Sequence, residues 1–132
     1  METKVLDAYA ILTFLKDEAG ADAIRELLFQ AEQAKIGLAM SVVNLGEVWY
    51  AIARATSPAK ADRYIQEIQG MAIDIVDADW LLTRQAAAFK ANGNISYADC
   101  YAAALAQDRK AELITGDREF KALEGEITIA WI

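Results

Sequence analysis

Asp7, Glu47, Asp99 and Asp117 are the residues whose types and settings could do chemistry in this 132-residue chain. Asp7 ends the short run Lys4-Val5-Leu6, Asp117 follows Ala111 to Thr115 across Gly116, and Asp99 stands three residues after Ser96. Glu47 is the only acid between Glu32 and Asp62, and Val43, Leu45, Val48, Ala51 and Ile52 surround it with apolar sequence. Carboxylates that converge repel one another, and only raised pKa values or a bound cation relieve that repulsion. A divalent ion on oxygen ligands is the usual solution.

Composition removes most other chemistry. With no histidine there is no Ser-His-Asp triad, no Cys-His nucleophile pair and no imidazole metal ligand. General acid and base must then be carboxylates, a lysine or metal-activated water, and hard oxygen ligands select Mg²⁺ or Mn²⁺ over zinc. A net charge of -7 argues against broad non-specific binding to nucleic acid, which needs basic surface to displace counterions, but leaves room for a local basic rim. The single Cys100 cannot form an internal disulfide and fits a reducing compartment. No apolar run approaches the roughly 20 residues of a membrane helix, and Met-Glu-Thr-Lys is not the start of a signal peptide. The expectation is one cytoplasmic domain spanning residues 1–132 without a membrane partner.

The elements that must position these acids alternate. Lys4 to Leu6, Ile36 to Met40, Ala72 to Val76, Ala111 to Thr115 and Ile127 to Trp131 read as five strands. Between them, Ile11, Leu12, Phe14 and Leu15 mark a first helix and Ala21 to Ala34 a second. Ser41 caps a long helix through Ala55, and Ser57-Pro58 opens another that ends at Gly70. Asp77 is expected to cap a helix to about Ala91, with Asp79 as a first-turn acid, and Asn92-Gly93-Asn94 stops it. Ser96 starts the next helix, and a short helical turn covers Asp117 to Leu123. This alternation predicts a three-layer α/β/α fold around a mostly parallel five-stranded sheet. In such sheets the site lies beyond the carboxyl ends of the strands, where Asp7 and Asp117 fall directly.

Each acid also has a structural role open to it. Asp7 could cap the first helix, Ser96-Tyr97-Ala98-Asp99 reads as a capping box, and Asp117 could make an Asx turn. Glu47 cannot cap in mid-helix, where an unpaired buried carboxylate is costly, and its structural alternative is an edge-exposed glutamate. Trp49 and Tyr50 are adjacent and point to different sides of one helix, so both are buried only if that helix packs on two partners.

The order and setting of the four acids resemble the PIN-domain family, and within it the VapC-type toxins of toxin-antitoxin pairs. The resemblance runs from Val5 to nearly the end and is carried by four segments. These are Val5-Leu6-Asp7-Ala8-Tyr9-Ala10-Ile11-Leu12, Ser41-Val42-Val43-Asn44-Leu45-Gly46-Glu47-Val48, Ser96 through Ala106, and Leu113-Ile114-Thr115-Gly116-Asp117-Arg118-Glu119-Phe120. It implies a metal-dependent endoribonuclease with Asp7, Glu47, Asp99 and Asp117 as an acidic pocket binding Mg²⁺ or Mn²⁺, and with Ser41 and Thr115 supplying supporting hydroxyls. Ala8-Tyr9 departs from the pattern, because many relatives carry a Thr or Ser hydroxyl just after the first aspartate.

The charges then suggest a mechanism in which cations held by Asp7, Asp99 and Asp117 activate water and stabilise the transition state, while Glu47 completes the coordination or orients the water. Arg118 is a candidate phosphate contact, and Arg54, Lys60 and Arg63 a candidate basic rim. The resemblance also implies an RNA substrate, a homodimer, and a VapB-like antitoxin that lays an apolar segment in a groove and a basic residue in the pocket. Two rivals remain. A receiver-type phosphoacceptor domain would want paired acids after the first strand, where only Asp7 stands; a non-catalytic PIN-like binding module would keep the fold and lose the metal.

Overall fold

Five strands lie parallel in a computed structural model describing residues 1–132. They are β1 (Thr3–Leu6), β2 (Gly37–Ser41), β3 (Asp74–Val76), β4 (Glu112–Thr115) and β5 (Ile129–Trp131), in the order β3-β2-β1-β4-β5. Every neighbouring pair is parallel, with Val5 opposite Ala39 on one side and Leu113 on the other. The helices are α1 (Ala8–Leu15), α2 (Ala21–Glu32), α3 (Val42–Ala55), α4 (Pro58–Gln69), α5 (Trp80–Ala91) and α6 (Tyr97–Arg109), followed by a 3₁₀ turn at Arg118–Leu123.

Successive strand residues point to opposite faces, so the sheet feeds two cores. Val5, Ala39 and Leu113 pack with α5, α6 and the 3₁₀ turn through Leu82, Phe89, Leu105 and Phe120. Their neighbours Leu6, Met40 and Ile114 pack with α1 to α4 through Ile11, Ile24, Val48 and Ile68. The strands are therefore apolar on both faces, as a parallel sheet covered by helices requires. The expected three-layer α/β/α fold is found, and no helix is long and apolar enough to cross a membrane.

The structure moves several sequence-based boundaries. β2 starts at Gly37 and runs to Ser41, which also caps α3. β3 is confined to Asp74–Val76, because Met71 to Ile73 form a tight turn closed by the Ile73 N–H on the Met71 carbonyl at 2.8 Å. β5 begins at Ile129, since the Ile127 N–H closes the 3₁₀ turn onto the Leu123 carbonyl at 3.0 Å. Asp79, not Asp77, caps α5: its carboxylate accepts the Leu82 N–H at 2.9 Å, leaving Asp77 in the exposed approach to the helix.

The crossovers decide where a site can form. From β1 to β2 to β3 the chain steps in one direction, and α5 and α6 then carry it back across the sheet to β4, on the other side of β1. Connections leaving β1 and β4 diverge, which opens a crevice at the carboxyl ends of these two strands.

Candidate active site

Asp7 stands at the end of β1 as the N-cap of α1, where its Oδ1 accepts the Ala10 N–H at 2.9 Å. Its Oδ2 accepts a hydrogen bond from the Thr115 hydroxyl at 2.5 Å. Thr115 Oγ1 also accepts the Asp117 N–H at 3.0 Å, so one buried hydroxyl at the end of β4 ties together the acids that follow two neighbouring strands. Asp117 in turn caps the 3₁₀ turn through the Glu119 N–H at 3.0 Å.

The other two acids arrive from helices. Ser96 caps α6 by accepting the Asp99 N–H at 3.1 Å, which fixes the first turn, and the Asp99 side chain lines the cleft. Half of the expected capping box is thus formed. On α3, Leu45, Val48 and Ile52 face the core, while half-buried Glu47 reaches the cleft. Asp7, Glu47, Asp99 and Asp117 all line one cleft of about 200 Å³, walled on its apolar side by Ala8, Tyr9, Leu12, Tyr50 and Ala51. A larger cleft of about 310 Å³ lies between α5 and the 3₁₀ turn, but Glu126 is its only acid; the four candidate acids line the smaller one.

Crowding and burial change the titration of these groups. Burial pushes the Asp7 carboxyl up to about 7 against its hydrogen bonds from Thr115 and Ala10, and the charges of Asp117 and Glu47 add to the rise. Asp99 is likewise pushed up to about 7, by burial first and then by Asp117, Glu47 and Asp7. Glu47 is raised by burial and Asp117, with the Asn44 amide pulling the other way. Mutual electrostatic influence of this kind requires that the four acids be close, and their repulsion is what a cation would relieve.

The sequence profile of the PIN domain matches residues 4–126. The chain belongs to the PIN-domain family. Solved structures similar to this PIN domain include a DNA-bound VapBC from Salmonella typhimurium, with 20% identity, 98% coverage of both chains and a TM-score of 0.76. VapBC2 from Rickettsia felis, bound to a fragment of its promoter DNA, gives 16%, 98% of both chains and 0.75. VapC20 of Mycobacterium tuberculosis, a toxin that cleaves the sarcin-ricin loop, gives 16%, 95% of this chain and 96% of its own, and 0.71. At these identities the likeness is one of fold. No curated protein sequence matches the chain.

Around the acids of this PIN domain, the residues expected to support the pocket divide. Thr115 bonds directly to Asp7, supplying an aliphatic hydroxyl where Ala8-Tyr9 offers no serine or threonine. Ser41 makes no hydrogen bond to any of the four acids; its hydroxyl accepts the Val43 N–H at 3.1 Å and sets the start of α3. Arg118 is exposed, with its guanidinium 4.9 Å from the Trp131 ring centre, and it does not line the cleft. Arg54, Lys60 and Arg63 are all exposed and outside any ion pair, and Arg54 stacks 4.9 Å from the ring of Tyr50 at the cleft wall.

Two residues that sequence reasoning passed over also belong here. Glu119 brings a carboxylate oxygen within 4.8 Å of those of Asp99 and Asp117; its signal was the Asp117-Arg118-Glu119 spacing, which puts two acids on one tight turn. Asn44 is fully buried one turn before Glu47 and donates to it at 2.8 Å. An amide inside an apolar helix face was its only sequence signal.

Proposed function

We propose that this chain is the toxin of a VapC-type toxin-antitoxin pair, an endoribonuclease that hydrolyses RNA phosphodiester bonds with Mg²⁺ or Mn²⁺. The observation that carries the reading is the gathering of Asp7, Glu47, Asp99 and Asp117 in one cleft at the strand ends of a PIN domain. The donor set fits such an ion: it is all carboxylate oxygen, it contains no imidazole or thiolate, and Asp99, Asp117 and Glu119 already approach within 4.8 Å of one another. Asp7, Asp99 and Asp117 would hold it, with Glu47 completing the set. When bound, the ion supplies countercharge and Lewis-acid polarisation to the reacting phosphate.

The chain's own groups do the rest. Thr115 and the Ala10 N–H hold the Asp7 carboxylate in one rotamer, so its oxygens are preorganised. Glu47, raised above the usual carboxylate range by burial, is suited to orient the attacking water or to accept a proton from it. Tyr9, Leu12 and Tyr50 offer an apolar wall for the sugar and base beside the scissile phosphate, and Arg54 at its edge offers a positive charge to the backbone.

RNA as the substrate class is supported by the sarcin-ricin loop specificity of one fold relative. A VapB-like antitoxin as partner is supported by relatives solved as VapBC complexes and by the apolar-plus-acidic character of the cleft, which suits an apolar segment carrying a basic residue. The same reading includes a homodimer, supported by Trp49 and Tyr50, which the single chain leaves 36% and 44% exposed.

Purified protein is expected to cleave single-stranded or loop RNA when Mg²⁺ or Mn²⁺ is added and to stop when a chelator removes it. The same activity is expected to vanish in Asp7→Asn and in Asp99→Asn. Cleavage that survives chelation or either substitution would overturn the reading.

A further inference from the structure

We propose that Asn44 is a positioning residue that holds the Glu47 carboxylate toward the cleft and locks α3 onto the turn of α6 that carries Asp99; this rests on the metal-centre reading above. Asn44 is 0% exposed, and its amide nitrogen donates two hydrogen bonds, to Glu47 Oε1 at 2.8 Å and to the Ala98 carbonyl at 3.1 Å. Ala98 directly precedes Asp99, so this one amide bridges the backbone of one acid and the side chain of another.

The remaining atom of the amide argues that the arrangement serves the site and not the core. Asn44 Oδ1 is buried and has no hydrogen-bond partner. Turning the amide over would set that oxygen against two other oxygens and lose both donated bonds, so its orientation is fixed by Glu47 and Ala98. A buried acceptor left unpaired destabilises the fold, whereas an apolar side chain of similar size at the same position would not. Packing alone would therefore favour leucine. What the asparagine supplies instead is a donor aimed at a carboxylate one helical turn away, on the face of α3 that meets α6.

The test measures Mn²⁺ affinity by calorimetry or electron paramagnetic resonance, RNA cleavage, and thermal midpoint, in the wild type, Asn44→Leu, Asn44→Ala, Glu47→Gln and the Asn44→Leu/Glu47→Gln double variant. Asn44→Leu is expected to remain folded while Mn²⁺ affinity and cleavage fall about 10- to 100-fold, the range for partners that orient metal ligands. In the double variant the loss is expected to fall short of the sum of the two single losses, because both changes remove the Asn44–Glu47 bond and only Asn44→Leu also removes the bond to the Ala98 carbonyl. If leucine overpacks the site and the variant does not fold, Asn44→Ala, which cannot overpack, carries the same expectation for affinity and cleavage. Unchanged affinity and cleavage in the folded variants would overturn the inference and leave the nuclease reading standing, as would losses that add in full to those of Glu47→Gln. A wild type that neither binds Mn²⁺ nor cuts RNA would overturn both.

Discussion

Thr115 shows how much of the site depends on single hydroxyl and carboxyl groups. It donates to Asp7 and accepts from the Asp117 backbone, so Thr115→Val leaves a buried carboxylate oxygen and an N–H without partners. We expect that substitution to cost about 1–3 kcal/mol in denaturant unfolding and to weaken Mn²⁺ binding. Asp7→Asn and Asp99→Asn act the other way on stability. Both carboxyls are already held near 7, so at alkaline pH without metal their charges oppose folding. The two variants are expected to lose more than about 100-fold in RNA cleavage, beyond the range for residues that only orient ligands, while melting at or above the wild-type temperature at pH about 8 without metal. A variant that loses activity only because it unfolds would contradict this. At this scale the sequence showed the acids but not their partners: capping and pocket roles competed for Asp7 and Asp99, and the structure shows that each carboxylate or its backbone does both. Asn44 stayed hidden because a buried amide and an exposed one look alike in a string of letters.

Each acid is held by the end of an element, and those ends set its precision. Ser96 caps α6 through the Asp99 N–H, so Ser96→Ala is expected to cost about 1 kcal/mol and to loosen the turn that aims Asp99. A matching fall in Mn²⁺ affinity, measured with the midpoint, would separate this from global destabilisation. Gly116 sits between Thr115 and Asp117, where an added Cβ would lie 2.8 Å from Tyr9 Cζ and 3.1 Å from the Ile132 carbonyl oxygen. Gly116→Ala should therefore push Tyr9 off the cleft wall and destabilise the protein by about 1–3 kcal/mol, with impaired RNA cleavage as the functional readout. Most elements were legible because serine caps, Pro58 and the Asn92-Gly93 stop act locally. Boundaries failed where the competing signals were also local and equal in type: Asp77 and Asp79 both suit a cap, and only backbone geometry assigned it to Asp79.

Over the whole molecule, the acid cluster makes stability depend on protons and cations. Asp7 and Asp99 rise from 3.8 to about 7 on folding, so between those values the folded chain binds more protons than the unfolded one. The sign follows: their contribution is most favourable at low pH and is lost as pH rises through 7. The thermal midpoint of metal-free protein is expected to fall between about pH 5 and about pH 8, and Mn²⁺ to restore it at the higher value but hardly at the lower, where protons occupy the same oxygens. A flat metal-free profile would count against a converged cluster. The sequence by itself determined the fold class, because alternating apolar runs and helical patterns leave a covered parallel sheet as the way to bury both faces of β1, β2 and β4. It also determined which acids were candidates, since their settings at strand ends, at a cap and in an apolar helix are local facts. Only the tertiary structure decided that these acids share one cleft, that a Glu119 oxygen lies within 4.8 Å of those of Asp99 and Asp117, and that the Asn44 amide bonds to Glu47. Those are distances between residues far apart in the chain, or side-chain directions within it, and they are fixed by the α5–α6 crossover that returns β4 to the side of β1.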